Sequence, residues 1–291
     1  MRFWYLVFLS LLLMVRGRAE AAPPRVQLDV TRFRNEDPNV KGGVAELYVT
    51  VSGQGLTYMR RAPRVFQAAA TLTLEVVRPD GAATYQETVT LKPPVLSDTT
   101  AAIKNPLSFQ KRVALPEGTY TVRALVRDQY RAGQPQLLER PLTIGAATAK
   151  PALSDVVLLS RAPARGAEAG SFSRGGYSLT RAPGGTYARG ADHLWLYAEL
   201  YGLAPEQAVQ IRYRLRAAGA KTDALTATGA AKGLAGRAAP VLGELDLSKV
   251  PTGSYTLTVE ARAASKLLAT QTATVQRLTE DYAPAGAAPS R

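Results

Sequence analysis

The chain has no cysteine. That absence removes disulfides, thiolate-held metals and a cysteine nucleophile together, and with them the lipidated cysteine on which a bacterial lipoprotein anchor depends. Histidine is nearly absent as well, His193 being the sole one in 291 residues. No histidine-based metal cluster can form, and a Ser-His-Asp triad would have to use this one residue. It stands in Asp192-His193-Leu194-Trp195, at the mouth of an expected strand, and reads as a surface or strand-edge histidine. A nucleophile elbow, a phosphate-cradling glycine loop and a zinc motif are all missing. Gly42-Gly43 and Gly184-Gly185 read as turn glycines with no helix pattern behind them. The acidic pairs Glu36-Asp37 and Glu280-Asp281 fall in loop or tail contexts, so no carboxylate pair for hydrolysis can be argued. The expectation is a non-catalytic protein with no cofactor and no metal.

Long hydrophobic runs are missing too, except at the N-terminus. Residues 3–15 are apolar apart from Ser10 and follow Arg2. Such a run is too short to span a bilayer comfortably, which takes about 20 residues, but it suits the core of a secretory signal. Ala19-Glu20-Ala21 supplies a small-x-small site, with cleavage expected after Ala21. Arg16 and Arg18 between core and site are unusual for a signal and keep an uncleaved anchor as the alternative. The chain is therefore expected to be exported, to the periplasm or the outer cell envelope, without a transmembrane span once cleaved.

What is present is basic and β-rich. The formal net charge is +13, and loss of residues 1–21 would remove three arginines and one glutamate to leave +11. Residues 22–150 carry 17 basic and 11 acidic side chains, and residues 151–291 carry 16 and 11, so no basic arm stands out. A solvated basic surface explains this balance; contact with an anionic envelope surface is the functional alternative. Nothing points to a specific nucleic acid. With 46% hydrophobic and 20% charged residues, packed cores are supported.

Short alternating runs of Thr, Val, Leu and Tyr recur. Strands are expected at 26–33, 45–52, 71–77, 84–92, 108–114, 119–128 and 137–144. A small-residue stretch at 145–151, ending in Pro151, then marks a boundary. A second set follows at 153–160, 194–201, 209–216, 241–247, 254–262 and 267–276. This predicts two tandem Ig-like, Greek-key β-sandwich domains, 22–147 and 148–279, after a signal peptide at 1–21, with a disordered tail at 280–291. An internal repeat agrees: Leu115-Pro116-Glu117-Gly118-Thr119-Tyr120-Thr121-Val122 matches Val250-Pro251-Thr252-Gly253-Ser254-Tyr255-Thr256-Leu257 at an offset of 135 residues. Tyr120 and Tyr255 each open an alternating strand just after a Pro/Gly turn. Both are expected to be tyrosine corners, the hydroxyl bonding back to upstream backbone.

Two features could bind a ligand. In 209–216 the arginines Arg212, Arg214 and Arg216 alternate with Ile211, Tyr213 and Leu215, so all three project from one face. They are either a charged row that blocks edge-to-edge aggregation or a stripe for phosphate or sulfate. The segment 163–192 reads as a long Gly/Ser/Arg-rich loop in which Phe172, Tyr177 and Tyr187 are interleaved with Arg165, Arg174, Arg181 and Arg189. Such an interleaving could stack on sugars or bases; disorder or domain docking is the alternative.

The residues also resemble a family. LDVTRFRN at 28–35, SFSRGGYSL at 171–179, LYAELY at 196–201 and LGELD at 242–246, in that order and spacing, resemble the N-terminal part of bacterial exported GWxTD domain-containing proteins. The resemblance covers roughly residues 28–279 and implies two β-sandwich modules followed, in full-length members, by a domain carrying Gly-Trp-x-Thr-Asp. That motif does not occur here, the two tryptophans being Trp4 and Trp195. It carries over no catalytic residues. The resulting expectation is a cell-envelope binding or scaffold protein whose partner is another envelope protein or an anionic surface. The alternative is a glycan- or polyanion-binding module using the arginine strand and the Tyr/Arg loop.

Mass-spectrometric sequencing of the chain recovered from an envelope fraction is expected to begin at Ala22; a start at Met1 would show a retained anchor instead.

Overall fold

The computed structural model describes residues 24–35, 41–100, 105–166 and 172–281. The leader at 1–21 and tail residues 282–291 lie outside these. Period-two alternation dominates, and the described residues form 21 strands and two single 3-10 turns, at Gly53–Gly55 and Pro183–Gly185. Among them no helix is long and apolar enough to cross a membrane.

The first nine strands are β1 (Val26–Arg34), β2 (Gly43–Val51), β3 (Met59–Ala62), β4 (Val65–Gln67), β5 (Ala70–Val77), β6 (Ala83–Leu91), β7 (Leu107–Leu115), β8 (Gly118–Asp128) and β9 (Gln136–Ile144). They make an antiparallel sheet β1-β2-β7, a facing sheet β6-β5-β8-β9 and a small hairpin β3-β4. On β5, Leu72, Leu74 and Val76 are buried while Thr71, Thr73 and Glu75 are half-exposed, as the alternation requires. They meet Ala45, Leu47, Val49 and Val51 of β2 in one core. Each such side chain contributes about 1.5–3 kcal/mol by leaving water.

The second set comprises β10 (Ala152–Leu153), β11 (Val157–Leu159), β12 (Ala164–Arg165), β13 (Phe172–Arg174), β14 (Tyr177–Leu179), β15 (Thr186–Arg189), β16 (His193–Tyr201), β17 (Ala208–Ala217), β18 (Leu225–Lys232), β19 (Ala239–Asp246), β20 (Gly253–Ala263) and β21 (Lys266–Asp281). Central strand β16 pairs with β10 and β11 on one side and β19 on the other; the facing sheet is β15-β21-β20-β17-β18. Leu194, Leu196, Ala198 and Leu200 pack against Ile211, Tyr213, Leu257 and Val259 in a second core. The architecture is all-β, built of sandwiches.

Three expectations need correction. The segment 163–192 is not structureless: it holds β12, β13, β14, a 3-10 turn and β15. Its strands are only two to four residues long, too short for periodicity to register. Strand β18 was not expected, because its sequence, LTATGAAK, offers only Leu225 as a large inward residue. The ring of Tyr213 lies over Gly229 and supplies the missing volume. Finally, β21 runs through Asp281, so Glu280 and Asp281 belong to a strand, not to the tail.

The repeat has a clear physical basis. The Tyr120 hydroxyl donates to the Pro116 carbonyl at 3.0 Å, and that of Tyr255 to the Pro251 carbonyl at 2.7 Å. Both rings are buried. Gly118 and Gly253 hold φ of 153° and 151°, in the range that favours glycine, and this lets the chain turn tightly enough for the ring to fold back.

Replacing either tyrosine by phenylalanine is expected to cost about 1 kcal/mol, the net worth of one buried hydrogen bond. Urea unfolding followed by circular dichroism would measure it, and a loss near zero for both would refute the corner role.

Candidate functional site

A strand at the centre of a sandwich sheet normally buries one face. Every residue of β2 is buried, and β16 is buried from Leu196 to Tyr201. The reason is that their outer faces are covered where the two sandwiches join, with Arg174 reaching a residue of each. The same tetrapeptide, Ala-Glu-Leu-Tyr, occurs at 45–48 in β2 and at 198–201 in β16. In each copy Ala and Leu enter their own core, which turns Glu and Tyr toward the other domain. Glu46 and Glu199 therefore point into one shared interface, where both are buried.

Between them lies Arg174, with a side chain only 1% exposed. Its Nε donates to Glu199 Oε1 at 2.6 Å and its Nη2 to Glu199 Oε2 at 3.2 Å, a two-pronged grip. Its Nη1 donates to Glu46 Oε1 at 3.1 Å. Arg112 reaches the same Glu46 oxygen through Nε and Nη2, at 3.1 and 2.9 Å, and also donates to the Ser173 carbonyl at 3.2 Å. The hydroxyls of Tyr197 and Tyr201 donate to Glu199 at 3.0 and 2.6 Å. Two carboxylates thus face two guanidiniums, and the cluster is neutral as a whole. Such balance is needed where solvent cannot screen charge.

Apolar contacts enclose it. The Arg174 guanidinium lies 3.8 Å from the Phe33 ring centroid, and Phe33 packs with Val157, Leu159, Leu179 and Tyr197. Gly175 at φ 56° leaves room for Tyr197, since a Cβ there would stand 2.4 Å from its hydroxyl. Further ties join β1 to the second domain. Arg32 donates from Nε and Nη2 to Asp155 at 2.8 and 2.7 Å. Arg181 Nη1 donates to Thr31 Oγ1 at 3.0 Å, and the Gly184 amide to Asp29 at 2.9 Å.

The environment moves several pKa values. Burial pushes the Glu46 carboxyl above the ordinary glutamate value, against the pull of Arg174 and Arg112. Burial works against the Arg174 charge, but Glu199 and Glu46 outweigh it and hold its pKa above the ordinary arginine value. Tyr197 and Tyr201 are raised, first by burial and then by the Glu199 charge, so both stay protonated donors.

The residues singled out in the sequence separate accordingly. Arg174 is a buried tie between the two sandwiches. Tyr187 is a core residue whose hydroxyl donates to the Leu159 carbonyl at 3.0 Å. Tyr177 is half-buried, its ring tilted against Tyr197 at 6.4 Å and covered by Arg165 at 5.9 Å. Phe172 is the first residue of β13. On β17 the three arginines do share the outer face, yet β17 is flanked by β18 and β20 and is no edge strand. Arg214 pairs with Glu260 at 2.6 Å and Arg216 with Asp223 at 2.8 Å, which leaves Arg212 as the exposed member. Glu46 and Glu199 went unnoticed in the sequence; the repeated Ala-Glu-Leu-Tyr was the signal that could have found them. His193, read in the sequence as a surface histidine, is exposed at the first position of β16, stacked on Trp195 at 5.2 Å and bonded to Glu244 at 2.8 Å. Among the described residues no three His, Asp or Glu side chains gather as a metal site would require.

No protein-family model and no curated protein matches the chain. Among solved structures it is similar to the dimeric latent PorU from Porphyromonas gingivalis, with 12% identity over 92% of this chain and 21% of that one, at a TM-score of 0.32. It is also similar to red sea bream transglutaminase, with 13% identity over 88% of this chain and 32% of that one, at a TM-score of 0.25. A third similarity is to the BSP domain of a biofilm-associated protein, with 9% identity over 96% of this chain and 70% of that one, at a TM-score of 0.24. The chain thus spans about a fifth of PorU and a third of the transglutaminase. At these values the likenesses carry nothing about function.

Arg174→Met, which leaves buried Glu199 with no guanidinium and Glu46 with Arg112 alone, is expected to cost about 3–5 kcal/mol. Urea unfolding measures that cost, and hydrogen exchange should show β2 and β16 losing protection together. Because the Glu46 carboxyl is raised in the folded chain, the stability it contributes is full below the ordinary value of 4.5 and is lost as pH rises through the shifted one. The unfolding midpoint should therefore climb on mild acidification, and Glu46→Gln should flatten that climb. The opposite trend from Glu87, held below the ordinary value by its bonds to Lys111 and Tyr85, sets in only below 4.5.

Proposed function

We propose that the chain is a non-catalytic binding or scaffold protein of the bacterial cell envelope, which presents two sandwiches in a fixed mutual orientation to an envelope partner. One observation carries the reading: a single buried guanidinium is shared by carboxylates of both domains. A hinge between independently moving domains is served by small, wet, polar contacts, whereas a shared guanidinium only 1% exposed favours one angle at which the two surfaces are displayed. The apolar run at 3–15 and the resemblance to GWxTD domain-containing proteins support export. The rival reading, a polyanion-binding stripe on β17 with a Tyr/Arg loop, has less behind it. Arg214 and Arg216 are answered by carboxylates, and Arg174 and Tyr187 are enclosed.

Photo-crosslinking from the Arg212 and Trp195 positions in intact cells is expected to trap a discrete protein adduct. Glu46→Gln combined with Glu199→Gln should diminish that adduct while each sandwich keeps its β signal. Recovery of no protein adduct from either position would overturn the proposal.

A further inference from the structure

One end of the first sandwich carries a feature that the interdomain cluster does not use. Hairpin β3-β4 turns through Ala62-Pro63-Arg64, with Arg64 in the left-handed region at φ 57°. It is not a loose loop. Phe66 exchanges two backbone hydrogen bonds with Leu96, at 2.8 and 2.9 Å, and the Gln67 side chain donates to the Pro93 carbonyl at 2.6 Å. Below the hairpin, buried Asp128 accepts from the Thr57 and Tyr130 amides at 2.7 and 2.9 Å. The result is a two-stranded flap pinned at its base by a bridge to Leu96.

All four residues of β3 are exposed, as is Arg64. Arg60, Arg61 and Arg64 therefore project within five positions of one another. Arg61 lies over the Tyr130 ring at 4.7 Å, and Arg60 bonds only the carbonyl of Ala62, at 3.4 Å. Among the described residues no carboxylate forms an ion pair with these three, in contrast to Arg214 and Arg216 of β17. Arg25 and Lys92 are exposed at the same end. Beside the charges stand Met59, 43% exposed, and Val95, 56% exposed, two of the five large hydrophobics in the open among the described residues. Val95 adjoins the Leu96 that pairs with the flap.

Exposed arginines interspersed with exposed apolar side chains suit a surface that is anionic outside and hydrocarbon within. A polysaccharide would answer the charge but offers no apolar phase for Met59 and Val95. The Ser52 amide bonds the Arg25 carbonyl at 2.9 Å, so the chain enters β1 beside the root of the flap.

We infer that the β3-β4 flap is a docking surface for anionic phospholipid bilayers, in which Arg60, Arg61 and Arg64 meet lipid phosphates while Met59 and Val95 enter the headgroup boundary. It rests on the envelope reading only for the presence of a membrane, and the contact is testable without any protein partner.

The full chain is centrifuged with vesicles of phosphatidylcholine alone and of phosphatidylcholine mixed with phosphatidylglycerol. The neutral vesicles set the baseline for binding that does not depend on charge. Wild type is expected to partition at least about tenfold better onto the anionic vesicles, by the attraction that a few arginines feel near such a surface. R60S/R61S/R64S should lose that preference. M59S/V95S should keep it at low salt and lose it at high salt. All these side chains are exposed, and matching circular-dichroism melts confirm that the variants fold. Equal partition onto both vesicles, or an undiminished preference in the triple-arginine variant, would overturn the inference. Binding to dextran sulfate without binding to anionic vesicles would likewise overturn it and make the flap a glycan contact. An adduct from the crosslinking above tells nothing about the flap, so the two ideas fail separately.

Discussion

Taking a carboxylate out of water costs several kcal/mol even after the protein relaxes around it, and this chain does so twice at one place. Glu46 and Glu199 come from different domains, and the guanidinium of Arg174 is the charge that both of them meet. The rest of the interface follows from that requirement. Arg112 balances the second negative charge, the two tyrosine hydroxyls complete the hydrogen bonding of Glu199, and Phe33 with its apolar neighbours excludes water. Because the cost of breaking such a set greatly exceeds what forming it contributes, the cluster acts less as glue than as a registration mark. It penalises every angle between the sandwiches except one.

Much of the fold was legible in the sequence because period-two alternation is local. Leu72, Leu74 and Val76 announce their face without reference to anything distant. The Pro-x-Gly-x-Tyr corners are local as well, each closed by a hydrogen bond spanning four residues. The cluster is not local. Arg174 meets Glu46 across 128 residues, and in sequence it resembles any arginine in a Gly/Ser-rich stretch. The strand arginines erred in the other direction: their common face was visible, but Glu260 and Asp223 lie on a partner strand and a following turn that only the fold brings close. Small strands such as β13 and β14 fell below the length at which alternation can be recognised.

Three sequence stretches, at 28–35, 171–179 and 196–201, gain a physical reading from this. LDVTRFRN supplies Asp29, Thr31, Arg32 and Phe33; SFSRGGYSL supplies Arg174 and Gly175; LYAELY supplies Tyr197, Glu199 and Tyr201. All of these residues lie where the two sandwiches meet. Together they specify how one sandwich seats on the other.

The cluster also imposes an order of events on a chain that emerges from its N-terminus. The first sandwich has all its strands once Ile144 is out, yet the outer face of β2 still lacks its cover, and Arg174 follows 62 residues after Arg112. At about 5–20 residues per second of synthesis that is an interval of roughly 3–12 s. Arg112 belongs to the first domain and already holds Glu46 through two hydrogen bonds. It serves as a placeholder, keeping a lone acid neutralised on an unfinished surface until its permanent partner arrives.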